Sequence, residues 1–215
     1  MGRDTGLASC RSKVFEGLPT AGLPYQLSGW DEFEGFMATL ISARTIHSIR
    51  EVWWDVRPHP GFGTVELRVC DGIPTLSEVA AVAALFQCLV EHLDALLDRD
   101  GKLAIPREWV VRENKWRAAR HGLEAQIIVD DHGELIPLRQ SIANLVSELT
   151  PIAESLHCSH EFARVLAILD RCPSYLRQRE VAAASGTWST RWSQSCGMTS
   201  RRRDRRLRSF PALRP

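Results

Sequence analysis

The sequence lacks several features that would define a secreted or membrane-bound protein. In 215 residues no apolar run approaches the ~20 residues that a membrane span needs. The N-terminal stretch MGRDTGLASCRSK has no apolar core of a signal peptide. The six cysteines form no C-x-x-C pair, which argues against a zinc site or a disulfide framework. We therefore expect a cytoplasmic protein with reduced thiols and no membrane partner.

Acidic side chains are scarce in the last thirty residues. Residues 186–215 carry eight Arg and one Asp (net +7), whereas residues 1–185 carry 19 basic and 25 acidic side chains (net −6). This tail has no helical or strand periodicity, so we predict an Arg-rich disordered tail. Its composition resembles that of a polypeptide translated from a shifted reading frame. The segment RRRDRRLR would attract any polyanion, but without a folded reader we expect no specific nucleic-acid partner.

Residues 1–185 are predicted to form one α+β domain with no internal linker. Residues 1–29 are expected to be loop-like, and Asp31 is expected to cap a helix. The strongest helical pattern opens at Thr75 or Ser77 and stops at Asp100-Gly101. Its apolar positions are Val79, Val82, Ala83, Phe86, Leu89, Val90, Leu93 and Leu96. Further helices are predicted from Pro106 to about Arg120 and near 140–156, 160–170 and 175–184, with a short hairpin within 126–138.

Residues 53–71, WWDVRPHPGFGTVELRVCD, are typical of two strands joined by a Pro/Gly-rich loop, yet they carry four charges within the strands. With a loop over 58–63, matching the apolar faces fixes the register. This register pairs Arg57 with Thr64, Asp55 with Glu66 and Trp53 with Arg68. Val65, Leu67 and Val69 are then expected to pack against the helix over 77–97.

Two carboxylates directly opposite each other destabilise a strand pair unless positive charge lies beside them. One interpretation is a solvated sheet face in which the diagonal arginines form salt bridges with Asp55 and Glu66. The other is a platform for Mg²⁺ and phosphate, in which carboxylates hold the cation and Arg neutralises phosphate oxygens. The pattern leaves both open.

A second charged cluster follows the long helix. At helical spacing Arg112, Trp116 and Arg120 share one face. A solvated basic face is one interpretation, and a ligand-binding face with an indole between two guanidinium groups is the other.

The hairpin WWDVRPHPGFGTVELRVCD and the later RENKWRAARHGLEAQII together resemble the type 2 glutamate–cysteine ligases, the carboxylate–amine ligase family. The segments DTGLASCRSKVF and AGLP resemble the same family, so the resemblance runs from about Asp4 to about Ala184. It implies a partial glutamine-synthetase-like catalytic fold, in which an antiparallel hairpin is backed by helices. It also implies ATP and Mg²⁺ as cofactors, glutamate as substrate and cysteine as the expected amine.

The resemblance also implies roles for individual residues. Glu66 resembles a metal-binding glutamate, and Asp55 is the expected second metal ligand. Arg57 and Arg68 resemble catalytic arginines that contact the transferred phosphoryl group or a substrate carboxylate. The implied cofactor-binding residues are Asn114, Trp116 and Arg120.

One family feature is missing from this sequence. Family members begin with a strand carrying paired glutamates, G-x-E-x-E, and no such motif occurs here. We expect the chain to correspond to the C-terminal half of the family domain. Its partner would be a complementing N-terminal half or a second copy in a homodimer. The alternative function is a non-catalytic remnant or half-subunit that binds nucleotide or that complementing half.

Overall fold

The computed structural model describes residues 4–170 and 172–185. The predicted disordered tail, 186–215, lies outside the described residues, and the domain boundary at 185 stays a prediction. The described helices are α1 Cys10–Phe15, α2 Trp30–Ser42, α3 Leu76–Asp100, α4 Glu108–His121, α5 Leu138–Ser155, α6 Ser159–Phe162, α7 Arg164–Asp170 and α8 Ser174–Ser185. The described strands are β1 Ala21–Gly22, β2 Trp53–Trp54, β3 Val56–His59, β4 Thr64–Leu67, β5 Gln126–Ile128 and β6 Leu135–Pro137.

The strands form three separate two-stranded sheets among the described residues. β1 pairs with β2 in parallel, while β3–β4 and β5–β6 are antiparallel hairpins. Helices and small sheets together are compatible with the predicted α+β class, and the hairpin predicted within 126–138 is confirmed. The entry segment differs from the prediction, because it contains the short helix α1, capped by the Ser9 side chain.

Helix α3 begins and ends where the sequence predicts. The Thr75 side chain accepts a hydrogen bond from the Glu78 backbone N–H at 3.2 Å, and Gly101 ends the helix in the left-handed conformation at φ 67°. The apolar positions of the predicted helix are only partly buried: Leu89 packs against the larger core, whereas three others do not. Val79, Val90 and Leu93 are exposed, and the face that is buried carries the small residues Ala81, Ala84 and Cys88.

The small residues of α3 have a clear structural consequence. They allow α5, α6 and α7 to pack closely against α3. The residues at these contacts form the larger of the two apolar cores among the described residues. The buried members contributed by the packing helices are Val146, Leu149, Ala153, Phe162 and Val165. By length and mean hydropathy α3 could cross a membrane, so the expectation that no stretch is long and apolar enough is not confirmed; 17% of its most apolar window is buried.

The smaller core packs α2 against the chain that enters the first hairpin. Phe33 and Met37 of α2 meet Val52 and Trp54, both almost fully buried, and Ile46 lies beside them. The Trp54 ring also stacks on Phe36, with 5.4 Å between the ring centroids. The predicted apolar face of Val52 and Trp54 is therefore confirmed, and it anchors the start of the hairpin.

Gly122 ends α4 and packs against Tyr175 of α8. Its backbone has φ 59° and ψ −137°, a conformation that L side chains rarely adopt, and a Cβ there would lie 2.5 Å from the Tyr175 hydroxyl oxygen. Only glycine therefore allows α8 to approach this corner so closely.

We expect Gly122→Ala to lower the free energy of unfolding by about 1–3 kcal/mol from backbone strain alone, and by more if Tyr175 is displaced. Urea denaturation measures the change. Gly72→Ala is the matched control, because a Cβ at Gly72 meets nothing within 4 Å. Equal stabilities of the two variants would contradict the described corner.

Candidate functional site

The register of the β3–β4 hairpin decides where its charges lie. Arg57 pairs directly with Glu66 and His59 with Thr64, two residues away from the predicted register. The predicted pairing of Asp55 with Glu66 is therefore wrong. The reason is the turn, which is a compact 3-10 turn over Pro60–Phe62 followed by Gly63 at φ 61°, and not a loop over 58–63. A shift of two keeps the faces but replaces opposed carboxylates with an ion pair.

The new register leaves Val65 largely exposed. Its side chain is 47% accessible, so the expectation that it packs against α3 is wrong. Val65 lies opposite Pro58, near the solvent-facing tip of the hairpin.

The Arg57 side chain is buried beneath the hairpin. One of its terminal nitrogens, Nη1, donates to the carbonyl oxygens of Ile49, Arg50 and Val52 at 3.0, 3.1 and 2.9 Å. The other, Nη2, lies 2.5 Å from a carboxylate oxygen of Glu66. Arg57 thus ties the hairpin to the turn that precedes it, and its Nε is buried with no partner among the described residues. The predicted catalytic role of Arg57 stays a prediction, but its two terminal nitrogens are already bonded within the protein.

Glu66 is held between two arginines. Arg68 Nη1 lies 3.2 Å from the Glu66 oxygen that Arg57 does not contact. The Glu66 side chain is nevertheless 42% exposed, whereas that of Arg57 is 6% exposed. Of these three groups, Glu66 is the one that solvent and ligands reach most readily. The paired arginines also fix its carboxylate in one orientation.

Asp55 interrupts the strand between β2 and β3. Its carbonyl oxygen accepts hydrogen bonds from the backbone N–H groups of both Arg68 and Val69, at 2.7 and 3.0 Å, as in a β-bulge. Its carboxylate lies 2.5 Å from Lys115 Nζ, which is also 2.8 Å from Glu16. Asp55 and Glu66, the two predicted metal ligands, therefore belong to different ion pairs.

The predicted roles of Asp55 and Glu66 as metal ligands stay predictions. Within residues 4–170 and 172–185 no group of three or more His, Cys, Asp or Glu side chains is placed to hold a metal ion. Of the two predicted ligands, Glu66 has the more exposed carboxylate.

A cavity of about 830 Å³ lies between α4 and the segment around β1, next to the ion pairs of Lys115 with Asp55 and Glu16. Trp109 and Trp116 line it, and both are about half exposed. Its cationic lining comes from Lys13, Arg112, Lys115 and Arg117. Glu16 and Glu113 line the cavity as well, and each of the four cations is ion-paired with a glutamate.

The three predicted cofactor-binding residues are used differently. Trp116 lines this cavity. The Asn114 amide donates to the Ile128 carbonyl oxygen and accepts from the Ile128 N–H, both at 2.8 Å, so it takes the place of a neighbouring strand beside β5. Arg120 donates to the carbonyl oxygen of Gly6, which fixes the N-terminal segment on α4. Binding roles for all three stay predictions.

Sequence reasoning missed Glu16 and Trp109 and did not foresee the role of Lys115. Lys115 stood in the basic segment of α4, but nothing in the sequence indicated that it would contact Asp55, 60 residues away. Burial alone would raise the pKa of Glu16, yet the hydrogen bonds and charges of Lys115 and Lys13 outweigh it and hold that pKa below its ordinary value of 4.5. Glu16 is therefore stabilised as a carboxylate against the cavity wall.

Comparison with known proteins places this site in a family. The model of glutamate-cysteine ligase family 2 matches residues 1–195. The "Putative glutamate--cysteine ligase 2-1" of Frankia alni is 59% identical over 182 residues, which are 85% of this chain and 48% of that protein. The "Putative glutamate--cysteine ligase 2" of Thermobifida fusca is 54% identical over 185 residues, 86% of this chain and 46% of that protein. This chain belongs to glutamate-cysteine ligase family 2, and it spans about half the length of the curated relatives it matches.

The depressed pKa of Glu16 predicts a pH dependence of stability. Because the folded-state pKa lies below the unfolded value, the stabilisation by Glu16 is fully present above about pH 4.5 and is lost as pH falls through the folded pKa. Glu16→Gln should lower the free energy of unfolding by about 1–2 kcal/mol at pH 7, and this difference should shrink as the pH falls below 4.5.

Urea denaturation of both proteins between pH 7 and about pH 3 measures this difference. The exposed Glu154→Gln serves as the control and should follow the wild type throughout. A difference between wild type and Glu16→Gln that stays constant with pH would show that Glu16 does not titrate as described.

Proposed function

We propose that this chain supplies part of the active site of an ATP-dependent carboxylate–amine ligase that joins glutamate to an amine, with cysteine as the expected amine. The observation that carries the proposal is the family match over residues 1–195, which covers both the hairpin and α4. Such a reaction activates a carboxylate by phosphoryl transfer, and catalysis then depends on positioning and on neutralising charge.

The proposed division of labour follows from what each side chain is free to do. Glu66 is exposed and oriented, so it would be the contribution of this chain to a Mg²⁺ site. Arg68, 21% exposed beside it, would meet a phosphoryl or carboxylate group. Arg57 would act by holding Glu66 in place.

The cavity beside α4 is the proposed place for ATP. Trp109 and Trp116 would offer aromatic surface to the base, and Arg112 and Arg117 would face the phosphates. Arg112 pairs with Glu108 and Arg117 with Glu113, each one helical turn earlier on α4. An anionic ligand would compete with these two ion pairs.

The remaining Mg²⁺ ligands are proposed to come from the part of the family domain that this chain does not match. The relatives are about twice as long as the matched segment. In that arrangement the three small sheets would belong to one larger, glutamine-synthetase-like sheet, because each pair of strands leaves edges to which further strands can bond.

A second candidate function is a half-subunit without activity of its own. The absence of any grouped metal ligands among the described residues favours it for the isolated chain. The two proposals differ in one measurable respect. A half-subunit would bind a complementing polypeptide, but the resulting complex would show no turnover.

The test is to co-express this chain with the part of the Frankia alni protein that it does not match, and to measure ADP release from Mg-ATP with glutamate and cysteine. We expect no turnover by the isolated chain and turnover by the co-purified pair that needs both amino acids. In that pair Glu66→Gln should lower turnover at least ~100-fold, since it removes the charge but little volume.

Glu154→Gln, an exposed carboxylate on α5, is the control and should leave turnover unchanged. A second measurement uses the full-length Frankia alni protein, with the same substitution at the position that aligns with Glu66. This measurement does not depend on two polypeptides assembling. Full activity of both Glu66→Gln proteins would refute the role of Glu66. A co-purified pair without turnover would favour the half-subunit.

A further inference from the structure

Two cysteines that are distant in sequence meet in the larger core. Cys88 lies on the buried face of α3, and Cys158 precedes α6, 70 residues further along the chain. Their sulfur atoms are 3.7 Å apart, a weak thiol–thiol hydrogen bond without a covalent link. Neither the proposed ligase chemistry nor the candidate site uses these thiols.

The two thiols differ in access. Cys88 is fully buried between α3 and the packing helices, whereas Cys158 is partly exposed in the turn that joins α5 to α6. This turn is held by the hydrogen bond from the Cys158 backbone N–H to the Ala153 carbonyl oxygen at 3.0 Å. A reagent in solution therefore reaches Cys158 before it reaches Cys88.

The pKa of Cys88 reinforces this order of reaction. Burial, and then the hydrogen bond with Cys158, raise the pKa of Cys88 to about 11. Cys88 thus remains a neutral thiol at physiological pH, and the thiolate is the nucleophile in disulfide exchange. Cys158 is the thiol placed to react first and Cys88 the thiol placed to react second.

We propose that Cys88 and Cys158 form a modification site, a pair of thiols that a low-molecular-weight disulfide converts to an intramolecular disulfide bond. The Cys158 thiolate attacks one sulfur of the reagent, forming a mixed disulfide and releasing one small thiolate. Cys88 then attacks the Cys158 sulfur, and its proton is taken up by the second small thiolate, which leaves as a thiol. Both protein thiols are oxidised and the reagent is reduced to two thiols.

The geometry favours this second step. The sulfurs need to approach by about 1.7 Å to reach the ~2.05 Å of a disulfide bond, a distance that small side-chain rotations cover. The bond would tie α3 to the start of α6 and close a long loop of chain. We therefore expect oxidation to raise the thermal midpoint by several degrees, with about 18 °C as the ceiling from loop entropy.

The test uses the full chain, treated in its native state with oxidised glutathione and digested without reduction. Mass spectrometry should find a peptide pair linked through Cys88 and Cys158, and dithiothreitol should reverse both the link and the rise in thermal midpoint. Cys10 is exposed, so glutathione on Cys10 shows that the reagent has acted.

Single variants separate the two roles. Cys88→Ser should accumulate glutathione on Cys158, because the resolving thiol is gone, and Cys158→Ser should leave Cys88 unmodified in the folded protein. Cys70→Ser is the control and should leave the link intact. Circular dichroism before oxidation confirms that each variant is folded.

The proposal would be overturned if Cys10 is modified while no link between Cys88 and Cys158 forms, or if the link forms only in urea. Both readouts are independent of ligase activity, so failure of the ligase proposal would leave this one standing.

Discussion

The need to satisfy one buried charge organises the hairpin and the chain that leads into it. A buried guanidinium is costly unless its donors are bonded and its charge is paired. Arg57 meets this need with the carbonyls of Ile49, Arg50 and Val52 and with the carboxylate of Glu66. The turn before β2 and the register of β3–β4 are therefore fixed by the same side chain.

This constraint gives Arg57 and Glu66 different surroundings, which the sequence did not indicate. An Arg and a Glu on one strand face suit either a salt bridge or a metal and phosphate site. In the structure one member of the pair is buried and the other is about two-fifths exposed. Arg57 therefore serves as the support and Glu66 as the group that it presents.

Lys115 provides the second link between distant parts of the chain. It joins α4 to Asp55 at the bulge and to Glu16 just after α1, with its own side chain only 13% exposed. The cavity with Trp109 and Trp116 opens beside this link. The position of its aromatic wall relative to the hairpin thus depends on a few charged contacts and not on a continuous sheet.

The features that the sequence predicted correctly are those set by local chemistry. Thr75 and Gly101 end α3 because a cap and a left-handed glycine act over a few residues. The predicted register was wrong because the sequence does not distinguish the compact turn that ends at Gly63 from a longer loop. The sequence pattern located the apolar residues of α3, but the helices that pack on α3 determine which of those residues are fully buried.

The candidate site divides in the same way. Glu66 and Trp116 were predicted from their surroundings in sequence, since charge inside a strand and an indole between arginines are local signals, and their binding roles stay predictions. The links from Asp55 to Lys115 and from Asn114 to Ile128 were not found, because each joins segments whose approach only the tertiary structure determines. The contact between Cys88 and Cys158 is of the same kind.

The most direct measurement of the central claim is a double-mutant cycle on Arg57→Gln and Glu66→Gln, with the free energy of unfolding measured by urea denaturation. If Arg57 supports Glu66 as described, the two substitutions should couple by about 1–3 kcal/mol, and Arg57→Gln should be the more damaging because it also leaves three carbonyls without their donor. Additive effects of the two substitutions, with the Arg57 change no worse than the Glu66 change, would contradict the account.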